Sequence, residues 1–96
     1  MKLKYSPRAI ADINAIADYI RVRNPPAALR VGSAIEKIIN LFRDNPGLGL
    51  DRPELGVRMI SVPRYSYSVY YRSRADGIEI IHVRDDLCKP LEPGDV

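Results

Sequence analysis

The chain has 96 residues, a formal net charge of +3 and 46% hydrophobic residues. This length supports one domain with a modest core and is too short for a deep, enclosed active site, so we expect function to reside on the surface. The pI of about 9.2 favours anionic partners. However, 15 basic residues against 12 acidic ones is far from the excess found in a dedicated nucleic-acid coat protein.

Cys88 is the only cysteine, which excludes an intrachain disulfide. No stretch is apolar for long enough to cross a membrane, and residues 1–5 are typical of an edge strand, not of an export signal. We therefore expect a cytoplasmic protein with a single domain over residues 1–96. The tail from about residue 89 is expected to be irregular and to order only on binding a partner.

Two amphipathic helices are predicted after a short strand at residues 3–5. Ser6 and Pro7 supply an N-cap and a proline at the first helical position. Asn24, followed by two prolines, ends this helix and caps the next one, so the two helices form an antiparallel hairpin. Apolar residues at helical spacing predict the core faces: Ile10, Ile13, Ile16, Ala17 and Ile20, then Val31, Ile35, Ile38 and Phe42.

Three strands are predicted in the second half of the chain, near residues 57–62, 66–73 and 78–84. A Gly- and Pro-rich loop over 48–56 precedes them, and Asp76-Gly77 is the predicted turn of the last hairpin. Residues 79–83 are apolar on both faces, which is typical of a central strand. The expected fold is α+β, with an antiparallel helix hairpin packed on an antiparallel sheet in the order β-α-α-β-β-β.

Arginines in and around these strands are the candidate functional residues. Alternation along the middle strand predicts one face with Tyr67, Val69 and Tyr71, and an opposite face with Tyr70, Arg72 and Arg74. We interpret the first face as core and the second, joined by Arg84 if the register allows, as a basic and aromatic surface for carboxylates or phosphates. A solvated sheet face with cross-strand pairs such as Glu79 and Arg72 is the alternative. The candidate target-binding residues are Arg58, Arg64, Arg72, Arg84 and Lys89.

His82, the only histidine, lies inside a predicted strand, where a packing role is favoured over that of a general base. One histidine and one cysteine do not make a metal site, and we expect no cofactor. Cys88 is interpreted as a bystander thiol, with a thiol activated by Lys89 as the alternative.

Three apolar residues lie off the main helical stripes: Tyr19, Leu29 and Leu41. Exposed apolar residues are commonly isolated and without function. If these three cluster, they form a groove for an amphipathic segment of a partner protein.

The element order and several segments together resemble the ParE/RelE superfamily of bacterial toxins. These segments are the Ser-Pro start of the helix hairpin, Arg-Pro-Glu-Leu-Gly-Val-Arg at 52–58, Tyr-Tyr-Arg at 70–72, and Gly-Ile-Glu-Ile-Ile-His-Val-Arg at 77–84. The proline-started second helix followed by Pro-Glu-Leu-Gly is most similar to the ParE branch. The resemblance implies a non-enzymatic toxin of a type II toxin-antitoxin system that poisons DNA gyrase. It also implies a ParD-type antitoxin, through which promoter DNA is contacted only indirectly. Under this resemblance Tyr19, Leu29 and Leu41 are the candidate antitoxin-binding residues.

The RelE branch of the superfamily offers an alternative, ribosome-dependent mRNA cleavage without a metal. That chemistry needs a base, an acid and cations around the scissile phosphate, roles that fall in RelE on Arg, Lys and a C-terminal Tyr or His. Here Asp85-Asp86 follows the last strand, and no Tyr or His lies beyond His82. The nuclease constellation is therefore disfavoured. A degenerate, non-toxic partner retained for promoter regulation is the third alternative.

Overall fold

The computed structural model describes residues 2–87 and 91–95. Two helices lie on a five-stranded sheet with the strand order β1-β5-β4-β3-β2. The elements are β1 (Lys2–Tyr5), α1 (Pro7–Arg23), α2 (Pro25–Asp44), β2 (Leu50–Arg52), β3 (Val57–Ser61), β4 (Tyr67–Arg74), β5 (Gly77–Asp85) and a 3₁₀ turn (Pro93–Asp95). The predicted α+β fold is confirmed, and the last three strands lie within one residue of their predicted bounds. The predicted loop over 48–56 is wrong in part, because it contains β2, which pairs with β3.

The sheet is not wholly antiparallel, which corrects the prediction. β1 is parallel to β5, whereas the pairs β2-β3, β3-β4 and β4-β5 are antiparallel. Parallel neighbours need a long crossover, and the chain supplies one because both helices and three strands separate β1 from β5. As a result β5 is a central strand, as predicted.

Gly77 lies at the close approach of β1 to β5, not in the turn predicted for it. The two-residue turn is Ala75-Asp76, since Arg74 and Gly77 are register partners. A Cβ at position 77 would lie 2.1 Å from the carbonyl oxygen of Lys2, so only glycine allows the strands to approach this closely.

Both predicted helix caps are confirmed. The Ser6 hydroxyl accepts a 3.0 Å hydrogen bond from the Ala9 N–H and donates a 2.8 Å bond to the Ile81 carbonyl. The N-terminus of α1 is thereby tied to β5. At the other end of α1, Asn24 accepts a 3.2 Å bond from the Ala27 N–H and so caps α2.

The main core lies between the helices and one face of the sheet. The predicted α2 stripe is buried, and the Phe42 ring stacks on Tyr71 with centroids 3.9 Å apart. The predicted α1 stripe is confirmed at Ile13, Ile16 and Ile20, which pack against the core. Only its start differs, because Ala9 is buried and Ile10 is half exposed. Ala9 precedes Ile13 by one helical turn and joins it in the core, where its small side chain lets the helix approach the sheet.

A second apolar cluster covers the opposite face of the sheet. It contains Leu55, Val57, Tyr70, Ile81 and Leu91. Tyr70 was expected on an exposed aromatic surface, and that prediction is wrong because the loop after β2 and the C-terminal segment cover it. Leu91 of the predicted tail is buried in this cluster, and ordering of the tail by a partner stays a prediction. Residues 89, 90 and 96 lie outside the described residues.

Candidate interaction surfaces

Arg58, a predicted target-binding cation, holds the loop between α2 and β2. Its guanidinium donates a 2.8 Å hydrogen bond to the Gly49 carbonyl. Tyr71 binds the same loop: its hydroxyl accepts from the Gly49 N–H at 2.8 Å and donates to the Pro46 carbonyl at 2.9 Å. Burial raises the pKa of Tyr71, so it remains a neutral donor. Arg58 therefore has a structural role, and its contact with a target stays a prediction.

The register separates Arg72 from Arg84. Arg72 lies opposite Glu79, whereas Arg84 lies opposite Ser68 at the other end of the β4-β5 pair. Five residues of strand between Glu79 and Arg84 correspond to roughly 16 Å. The register thus does not allow the single basic face that was conditionally predicted for these arginines.

Glu79 forms its ion pair with Arg74 instead of with its register partner. The Arg74 Nε lies 2.6 Å from Glu79 Oε1. Among the residues that the structure describes, Arg72 has no carboxylate partner, and it lines an open cleft with Asp51, Arg58 and Ser73. Arg72 is therefore the predicted sheet cation that is best placed to meet a partner.

His82 is packed inside the fold, as predicted, and it contacts Asp12 of α1. Its side chain is 2% exposed, and Nδ1 lies 2.5 Å from Asp12 Oδ2, off the direction of a good hydrogen bond. The same Asp12 oxygen accepts a 3.1 Å bond from the Val83 N–H. Burial lowers the pKa of His82, and the Asp12 charge opposes this effect only in part. The imidazole is therefore neutral at pH 7.

Two predicted residues cannot be placed. Lys89, a candidate target-binding cation, and Cys88 both lie outside the described residues. Within residues 2–87 and 91–95, no group of three or more His, Cys, Asp or Glu side chains is arranged to hold a metal ion.

The three candidate antitoxin-binding residues are exposed, but they do not form one patch. Tyr19 is covered on one side by the Arg23 guanidinium, 3.7 Å from the ring centroid. Leu29 is 79% exposed and Leu41 is 47% exposed. Twelve helical residues separate the two leucines, which corresponds to about 18 Å and a different side of the helix.

Leu29 lies in an open groove of about 430 Å³ between α2 and the turn that joins β3 to β4. Three cations line this groove, Arg30 and Lys37 from α2 and Arg64 from the turn. The residues that line it contain no carboxylate, and none of the three cations has an ion pair within the described part of the chain. The remaining lining residues are Ser33, Ala34, Pro63 and Tyr65.

Sequence reasoning missed Arg30 and Lys37 as partners of Arg64. A signal was present, because Arg30, Ser33 and Lys37 recur at helical spacing on one polar side of α2. Nothing in the sequence showed that the turn at Arg64 packs beside that side. Arg64 and Leu29, predicted for different partners, thus share one groove.

A helix hairpin on one face of a five-stranded, mostly antiparallel sheet is the architecture of the ParE/RelE-like toxins. The chain matches the family model described as ParE toxin of type II toxin-antitoxin system, parDE, over residues 3–86. The chain therefore belongs to the ParE toxin family.

The solved structures include a similar protein, described as the chromosomal ParDE TA system from P. aeruginosa. It is 28% identical to this chain, with a TM-score of 0.77, and the alignment covers 88% of this chain and 95% of that chain. A search of the curated proteins found no match. Among the described residues, neither helix combines the length and the apolar character that crossing a membrane requires.

Proposed function

We propose that the chain is a toxin that poisons DNA gyrase and is neutralised by a ParD-type antitoxin. The observation that carries the proposal is the family match, which spans both helices and nearly all of the sheet. The similarity to a chain of a ParDE system supports the assignment of an antitoxin partner.

A non-enzymatic mode of action is supported by the environment of His82. Its ring is buried beside Asp12, so it is not available to take a proton from a macromolecular substrate. At the end of β5, Asp86 accepts a 2.6 Å hydrogen bond from the Ser68 hydroxyl, and Asp85 lies next to it. Two carboxylates at this position would repel the negatively charged scissile phosphate of an RNA substrate. The proposed toxin therefore acts by binding.

The proposed place of action is the bacterial cytoplasm, where gyrase and DNA are found. Promoter DNA is then contacted only through the antitoxin. The proposed function requires no cofactor.

Two parallel assays test this function. Purified protein is incubated with gyrase and plasmid DNA, and both supercoiling and protein-trapped cleaved DNA are measured. The same preparation is added to translating ribosomes, and transcript ends are mapped. We expect trapped cleavage of the plasmid and intact transcripts, with the gyrase effect abolished by a ParD-type antitoxin.

Discrete transcript cleavage with gyrase unaffected would assign the RelE-type activity instead. A folded protein that binds the antitoxin and is inactive in both assays would be the non-toxic regulatory partner.

A further inference from the structure

Two polar side chains at the start of the helix hairpin hold α1 to β5, at the point where β1 no longer covers that strand. β1 pairs with β5 only as far as Tyr5. Beyond it, the Ser6 hydroxyl donates a 2.8 Å hydrogen bond to the Ile81 carbonyl. One turn and a half further on, Asp12 accepts a 3.1 Å bond from the Val83 N–H. These two bonds replace the missing strand partner along the edge of β5.

α1 is the more weakly packed of the two helices. Within α1, which the structure describes throughout, Ala9 is the only buried residue, whereas α2 buries five. The other core residues of α1 are only partly buried. An element with few buried contacts opens locally at a lower free-energy cost than unfolding of the whole chain. The bonds of Ser6 and Asp12 are therefore important for keeping the N-terminal half of α1 on the sheet.

His82 lies beside this attachment with its polar atoms unsatisfied. The side chain is 2% exposed, and Nδ1 lies against the Asp12 carboxylate. Among the described residues, neither ring nitrogen of His82 has a hydrogen-bond partner. A buried polar group without a partner is costly, and contact with water removes that cost. His82 therefore favours any opening of α1 that admits water.

The surroundings of His82 disfavour a proton on its ring while α1 is closed. The charged side chains that line the cleft beside it are Arg8, Asp12, Arg84 and Asp85. From β4, its register partner Tyr70 packs its ring into the second apolar cluster, on the opposite face of the sheet. Burial is the main cause that lowers the pKa of His82, the two arginines add to it, and Asp12 opposes it. Protonation and closure of α1 therefore oppose each other.

We propose that His82 and Asp12 form a proton-operated latch between α1 and β5. At neutral pH the imidazole is neutral and the latch is closed, with Asp12 bound to the Val83 N–H. As the pH falls below about 6.5, the open form takes up a proton because its imidazolium is hydrated. The N-terminal half of α1 then separates from β5 while the strands stay paired, and the edge of β5 at residues 81–83 becomes exposed. The inference does not rest on the proposed function.

Amide hydrogen exchange of the full-length protein, followed by NMR and corrected for the intrinsic pH dependence of exchange, tests the latch. The reporters are the N–H groups of Ala9 and Val83, which bond to Ser6 and Asp12. The buried Val69 of β4 reports global unfolding. We expect the reporters to be at least about tenfold less protected than Val69, and insensitive to low urea concentrations. Between pH 7.5 and 5.5 their protection should fall about fivefold.

Three variants assign this pH dependence to the latch. His82→Leu removes the titrating group and should abolish the acid loss of protection at Ala9 and Val83. Asp12→Asn keeps an acceptor for the Val83 N–H but removes the charge that favours the imidazolium, so the acid loss should grow about twofold. Asp85→Asn makes the same change of charge in the same cleft, three residues beyond His82, and should behave as wild type.

Equal protection of the reporters and of Val69 would overturn the proposal, because α1 would then open only when the whole chain unfolds. An acid loss that persists in His82→Leu would overturn it too. Protection that rises on acidification would mean that the imidazolium bonds to Asp12 and closes the helix, which is the opposite of the proposal. If His82→Leu does not fold, equal behaviour of Asp12→Asn and Asp85→Asn overturns the proposal, and the expected difference between them supports it.

Discussion

The Gly49 N–H donates a 2.8 Å hydrogen bond to the Tyr71 hydroxyl, joining the loop before β2 to the middle of β4. A Cβ at position 49 would lie 2.6 Å from that oxygen, so the pair requires glycine. The Tyr71 ring also stacks on Phe42 of α2. One buried side chain therefore connects the helix layer, the sheet and the loop that leads to β2.

Tyr71→Phe should destabilise the fold by about 1–3 kcal/mol. The substitution keeps the stacked ring but removes the partner of the Gly49 N–H and of the Pro46 carbonyl. Urea unfolding followed by circular dichroism measures the effect. Tyr5→Phe is the matched control, because no hydrogen bond of the Tyr5 hydroxyl is found among the described residues, and its effect should stay within about 0.5 kcal/mol. Equal stability of the two variants would show that the loop hydrogen bonds contribute nothing.

Local signals in the sequence were sufficient to predict the helices. Ser6 and Asn24 are caps whose partners lie three residues away, and the α2 stripe follows from helical periodicity. β2 could not be predicted in this way. It has only three residues, and the contacts of its leading loop come from Arg58 and Tyr71, the latter 22 residues beyond Gly49.

The candidate surfaces were also predicted incompletely, because they depend on contacts between residues that are far apart in the sequence. Alternation in β4 placed Tyr70 on the correct face, but its burial depends on Leu91, which is far along the chain. The basic groove depends on Arg64 lying beside Arg30, although the two are distant in sequence. Periodicity assigns a residue to a face, whereas tertiary packing decides what covers that face.

The buried histidine predicts a loss of stability in mild acid. Burial lowers the pKa of His82 in the folded protein below its usual 6.5, so the unfolded chain binds a proton more readily. The free energy of unfolding should therefore fall as the pH drops below about 6.5, by at most about 1.4 kcal/mol per pH unit. Above that pH the histidine should contribute no pH dependence.

Urea titrations between about pH 5.5 and 7.5 measure this slope, and His82→Gln is the control because the chain has no other histidine. The difference between the two proteins isolates the histidine from the carboxylates. Stability that increases on acidification in the wild type alone would mean that the Asp12 charge outweighs the effect of burial.

Leu29→Asp and Leu41→Asp should differ in their effects on antitoxin affinity. Leu29 lies in the basic groove, where an aspartate would both remove apolar area and neutralise nearby cations. A large apolar side chain that becomes fully buried contributes about 1.5–3 kcal/mol. Replacement of Leu29 should therefore weaken antitoxin binding at least tenfold. Leu41, about 18 Å away along α2, should matter only if the antitoxin extends over the whole helix.

Isothermal titration with a ParD-type antitoxin measures both affinities. Since both leucines are exposed, the two variants should retain wild-type circular dichroism spectra. Unchanged affinity in both folded variants would move the antitoxin contact away from α2.

Charge reversal of the sheet arginines should reduce growth arrest. Arg72 has no carboxylate partner among the described residues, so Arg72→Glu should lower toxicity without unfolding the protein. Arg84→Glu tests the opposite end of the β4-β5 pair, because the register places the two arginines roughly 16 Å apart. The readout is colony formation after induction in cells that lack the antitoxin.

Lys2→Glu changes the net charge equally at the edge strand β1, where no contact is proposed, and should remain fully toxic. Each reversed variant must first show wild-type unfolding in urea. If only one of the two arginine reversals abolishes growth arrest, the target contact lies at that end of the hairpin. If the variant that combines Arg72→Glu and Arg84→Glu folds and remains fully toxic, the proposed role of the sheet cations is wrong. The target contact would then be sought on the helices.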